Sequence, residues 1–188
     1  MIPMIHQVFL GGTCGTSNWR SDIVIPILER EGITCYNPQL ADGAWTPAHQ
    51  YADMDAKAAA DVWLFVLNKQ TRGVASIGEV AYRMGHRGKL ALAITDLTAD
   101  SVFENRRLDP RELDDLNRGR VFLRAMAESH GIPVFDRVED AALYAVQLAR
   151  QAQAELNEHK LRAIAERVHI PGYTFLFGRL AEKLTLQI

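Results

Sequence analysis

Two rhythms of apolar and polar positions alternate along the chain. Short, nearly unbroken apolar runs closed by turn-forming residues occur at "HQVFLGG", "GITCYNP", "DVWLFVLN" and "GKLALAIT", with a shorter fifth at "IPVFD". Such runs predict strands buried on both faces. Between them, "NWRSDIVIPILEREG", "TPAHQYADMDAKAAA", "SIGEVAYRMGHRG" and "PRELDDLNRGRVFLRAMAESHG" space their apolar residues as helices do. Strand and helix thus alternate, and each parallel pair of strands needs a right-handed crossover that covers one side of a sheet. The pattern predicts an α/β fold, an open, doubly wound parallel sheet of about five strands with helices on both faces. Pro26 interrupts the first helix, so that helix either kinks there or begins nearer Ser21. After Asp136 the rhythm is helical: Ala142, Ala145, Val146 and Ala149 share one face, and Leu161, Ile164, Ala165 and Val168 another. The expected division is an α/β domain over 1–150 and a helical C-terminal extension over 151–188, to be packed on the domain or docked on a partner subunit.

Composition narrows the class. With 188 residues and 48% hydrophobic content the chain can bury a sizeable core. The formal net charge is -2 and no stretch gathers a dense Lys/Arg block, so a nucleic-acid polymer is not the expected partner. Only Cys14 and Cys35 carry thiols, which fits a reducing cytoplasm with both of them free. No window approaches the ~18 consecutive apolar residues of a membrane span, and "MIPMIHQVFLGG" lacks the basic opening of a signal peptide. A membrane is not an expected partner either.

In open α/β sheets ligands bind beyond the carboxyl ends of the strands. After the first strand, "GGTCGTSNWR" offers Gly11, Gly12 and Gly15 for close backbone approach and Thr13, Thr16 and Ser17 for hydroxyls. It suits a phosphate, a sugar hydroxyl or a carboxylate, or it only turns the chain, because neither a P-loop lysine nor a dinucleotide fingerprint is present. Arg20 reads as an anion clamp or as a solvated helix charge. Asp53 and Lys57 stand i, i+4, the spacing of an exposed ion pair, while Asp53 and Asp61 lie roughly 80° apart around a helix and make no pair.

Ser76 and Glu79 match S-x-x-E, the capping box, in which both side chains satisfy backbone amides. The competing account begins from place. Glu79 follows the third strand by a short loop containing Thr71, Arg72, Gly73 and Ser76, at the first turn of a helix on the ligand edge of the sheet. Amides and helix dipole there favour an ionised carboxylate, as attack on an anomeric carbon requires. Asp53 is then the candidate second carboxyl group, giving a proton to the departing base.

The ordered set "VFLGGT", "WR", "YNP", Asp53 eight residues before Asp61, and "TRGVASIGEVAYRMG" followed by "KLALAI" resembles the nucleoside 2-deoxyribosyltransferase-like proteins, from about Val8 to Ile94. The resemblance implies a flavodoxin-like sheet and usually a homo-oligomer. It implies that Glu79 is a nucleophile forming a glycosyl-enzyme intermediate at C1′ and that Asp53 assists at the base. The substrate is then a small-molecule nucleoside or nucleotide, whose sugar passes to a second base or to water.

Two positions depart from the family pattern. Phe9 stands where well-studied members carry a Tyr that steadies the Glu. Gly73 stands where transferases often have Asp and nucleotide-cleaving relatives Ser, which leaves the sugar's 5′ side to Arg72 or Ser76. Phe9, Trp19 and Trp45 are aromatic residues for stacking on a base or for packing, with Trp45 the best placed, in the loop "DGAWTPAHQ". His49 and His86 have no Cys or second His at ligand spacing, so no metal is expected, and cleavage of an N-glycoside needs no metal or redox cofactor.

Overall fold

The structure, a computed structural model, describes residues 7–12, 17–40, 44, 46–103 and 106–168. Two compact units divide the chain after Ala149. In the first, β1 (Val8–Gly12), β2 (Cys35–Tyr36), β3 (Val62–Leu67), β4 (Lys89–Ile94) and β7 (Val134–Phe135) form one sheet in the order β2-β1-β3-β4-β7. All four pairings are parallel. This is the open parallel α/β sheet expected from the apolar runs, in the flavodoxin-like arrangement that the family resemblance implies. A two-residue antiparallel pair, β5 (Val102–Phe103) with β6 (Arg106–Arg107), lies outside the sheet. Nothing in the apolar pattern announces it.

Alternation along the central strands divides the core. Val8, Leu10, Val62, Leu64 and Val66 face α1 (Ile25–Arg30) and the opening of α5 (Val138–Val168), where Ala142, Ala145, Val146 and Ala149 are buried as their spacing predicts. Phe9, Trp63, Phe65 and Leu67 face α3 (Val74–Gly85) and α4 (Pro110–Ser129) through Val80, Met84, Leu123 and Ala127. Trp19 is buried in the first cluster, on the face away from α3. Beyond Ala149, α5 is lined by exposed pairs such as Arg162 with Glu158 at 2.6 Å, and Leu161 is exposed. Residues 169–188, with the last amphipathic stretch, lie outside the described residues.

The first helix resolves the question set by Pro26. Residues Arg20–Val24 form a π-helical turn in which the Ile25 amide reaches back to the Arg20 carbonyl, and α1 continues with Pro26 in its first turn. The wider turn accommodates the donor that proline lacks.

Candidate functional site

Glu79 does not close a helix start. α3 begins at Val74, capped by Gly73 in the left-handed region at φ +72°, and no side chain caps it. Ser76 is therefore inside the first turn, buried, and Glu79 stands in the second turn, ~9 Å down the helix from Gly73. That corrects the expected first-turn position and removes the capping box. The Glu79 carboxylate instead accepts a hydrogen bond from the Lys57 ammonium on α2 (Pro47–Ala59), not from amides of its own helix. Lys57 is thereby taken from the i, i+4 pairing with Asp53 that its spacing suggested.

The chain of contacts continues through the sheet. The Lys57 ammonium lies 5.0 Å from the centre of the Phe9 ring. Phe9 stacks on Tyr36, its partner in the β1–β2 register, with ring centres 5.7 Å apart and planes 14° from parallel. The Tyr36 hydroxyl donates to Asp53 Oδ1 at 3.2 Å. Burial and the Asp53 carboxylate both push the Tyr36 phenol above its usual range, so it remains a donor at neutral pH. Asp53 and Glu79 thus stand at the two ends of a row Asp53–Tyr36–Phe9–Lys57–Glu79. Phe9 itself is 1% exposed, so its ring supports Lys57 and Tyr36 and does not present a stacking face. α2 contributes no fully buried residue; Ala56 packs against the core beside Phe9 and Trp63, and polar contacts add to it, with the Trp63 indole N–H donating to the Lys57 carbonyl at 2.8 Å.

The other expected site residues serve the frame. A Cβ on Gly11 would strike the Phe65 ring, and one on Gly12, at φ +113°, the Val66 carbonyl, so both glycines permit close packing of β1 on β3. Arg20 is neither an anion clamp nor solvated. It is fully buried, donating to the carbonyls of Leu10 at 3.2 Å and Gly12 at 2.8 Å. Arg72 pairs with Glu112 at 3.2 Å, which also takes Arg106 at 2.6 Å, and its guanidinium lies 5.7 Å from the Phe103 ring. The structure therefore groups Arg72 with α4 and the β5–β6 pair. Gly73 has its identity from backbone geometry: φ is positive, and a Cβ would sit 3.1 Å from Leu67 Cδ2. His49 caps α2 with Thr46, and His86 lies on Tyr82 with ring centres 4.1 Å apart. Among the described residues no group of His, Cys, Asp or Glu could hold a metal ion, and no helix is long and apolar enough to cross a membrane. Thr13 and Trp45 lie outside the described residues.

Three residues that the sequence reading did not assign shape the site. Lys57 and Tyr36 hold the two carboxylates, and the "YNP" motif was the only sign of Tyr36. Arg120, fully buried on α4, donates to the carbonyls of Thr71 at 2.6 Å, Asn68 at 3.2 Å, Thr95 at 3.2 Å and Arg72 at 3.3 Å. It ties down the loop from which α3 starts. Burial pushes its guanidinium to about 10, so it is still charged at neutral pH.

A family model described as "Nucleoside 2-deoxyribosyltransferase like" matches residues 5–97. That stretch is a nucleoside 2-deoxyribosyltransferase-like domain. It contains every member of the row from Phe9 to Glu79, whereas Arg120, which anchors the loop before α3, lies beyond the match. No curated protein matches the chain. Within the nucleoside 2-deoxyribosyltransferase-like domain, the Lys57 ammonium, seated on the Phe9 ring, is in contact with Glu79.

Proposed function

We propose that the protein cleaves the N-glycosidic bond of a (deoxy)ribonucleoside or nucleotide through a covalent glycosyl-Glu79 intermediate. The sugar then passes to a second base or to water. The observation that carries this reading is the direction of the Glu79 side chain, which reaches from its own helix to Lys57 on α2 and is one end of a row whose other end is Asp53. In the first step Glu79 attacks C1′ and Asp53, oriented by Tyr36, gives a proton to the departing base. In the second step Asp53 takes the proton of the incoming water or base. A cytoplasmic location and a homo-oligomer belong to the same proposal.

A second reading, a nucleotide-binding or sensor module with weak catalysis, draws on the same ion pair, since Lys57 occupies the carboxylate that attacks. One experiment separates the two. Deoxyribonucleosides, ribonucleosides and their monophosphates are incubated with the protein, with and without a free acceptor base, and released or exchanged bases are resolved by chromatography. Base release that falls about 10³-fold or more in a folded Glu79→Gln variant is the expected outcome. Ligand-dependent melting shifts with no base release support the sensor, and wild-type release by Glu79→Gln rejects the covalent mechanism.

A further inference from the structure

Lys57 takes no part in the steps just given, yet its ammonium touches the carboxylate on which they depend. Its side chain is 12% exposed against 34% for Glu79. The Phe9 ring supports the ammonium from below, and the Trp63 indole anchors the Lys57 carbonyl. The charge is therefore placed from two directions, and placed on Glu79.

Stereochemistry restricts what a cation there can do. Nucleophile and departing base occupy opposite faces of the sugar ring during displacement at C1′, so a cation bonded to the nucleophile is badly sited to protonate the base. It is well sited to receive the negative charge that returns to Glu79 when the sugar leaves. We infer that Lys57 is a positioning residue for the second half of the reaction, the release of the sugar from Glu79. The inference rests on the reading of Glu79 as nucleophile. In this step the oxygen of water, or the nitrogen of an incoming base, bonds to C1′ and the bond from C1′ to Glu79 Oε breaks. Its electron pair returns to the carboxylate facing the ammonium, and the proton lost by the incoming group goes to Asp53. The same contact restrains the carboxylate during attack, so attack is the slower step and the ester does not accumulate. An ammonium does this more strongly than a neutral phenol, because a charged donor makes the stronger hydrogen bond to a carboxylate.

Rapid quenching with intact-mass detection tests it on the full chain, using whichever compound of the panel is cleaved. Wild type should carry little sugar adduct in the steady state. Lys57→Gln, which keeps a donor but not the charge, should show a burst of base release, hold adduct on the greater part of the protein and turn over about 10²-fold more slowly. Lys57→Arg, which restores the charge, should restore both turnover and the low adduct level. In wild type alone, added acceptor base should leave the rate of base release unchanged. Lys57→Gln with no more adduct than wild type, no restoration by arginine, or acceleration by acceptor overturns the inference while leaving Glu79 as nucleophile. A wild-type protein that releases no base from any compound of the panel overturns the glycosidic reading, and this inference with it.

Discussion

Gly73 shows how one backbone angle governs a site residue several positions away. With φ at +72° and Leu67 Cδ2 3.1 Å from where a Cβ would stand, the position admits no larger residue without strain. Gly73→Ala should lower stability by about 1–2 kcal/mol, read as a fall of several degrees in melting temperature. No loss would mean that the loop relaxes freely. In sequence this glycine was visible only as a departure from the family pattern, because a backbone angle leaves no mark among neighbouring residue types. Lys57 is the complementary case. Its spacing from Asp53 on one helix suggested a local pair, whereas its partner Glu79 is 22 residues away and reaches it only after the sheet has formed. Local spacing reports neighbours on one element and is silent about partners brought in by a crossover.

α4 is the element whose role reaches furthest beyond the matched region. Asn117 receives the Leu97 amide at 2.8 Å and donates to its carbonyl at 2.9 Å, Arg124 donates to the Ile94 carbonyl at 2.8 Å, and Arg120 holds Thr95 together with the loop before α3. These three residues share one face of the helix and together clamp the chain as it leaves β4 and enters α3. Arg120→Met should leave several buried carbonyls without donors, at a cost of about 3 kcal/mol or more in chemical denaturation. Amide exchange should rise first in residues 68–73. A variant equal to wild type in both measurements would remove Arg120 from the account. The sheet strands were legible because each lies in an apolar run closed by turn-formers, and the four crossover helices because their apolar residues recur at helical spacing. The β5–β6 pair and the π-helical turn were not, since two-residue strands carry no period and a π turn is a response to Pro26. The start of α3 was misplaced because S-x-x-E imitates a cap whose true residue is a left-handed glycine three positions earlier.

At the scale of the molecule, alternation of strand and helix was enough for the class of fold, while the order β2-β1-β3-β4-β7 comes from pairings that no single segment encodes. The order matters for the site, because it sets β1 between β2 and β3 and so brings Tyr36 and Trp63 to either side of Phe9. The two candidate carboxylates, 26 residues apart in the chain, then share one aromatic platform. The account stands on Glu79 forming a covalent bond to a sugar. Incubation with a 2′-fluoro-substituted nucleoside, whose fluorine slows release through the oxocarbenium-like transition state, followed by peptide mass mapping, tests this directly. The predicted result is a mass gain equal to the fluorinated sugar on the peptide that carries Glu79, absent in Glu79→Gln. Base release without any such gain, or a gain on another residue, would contradict the account.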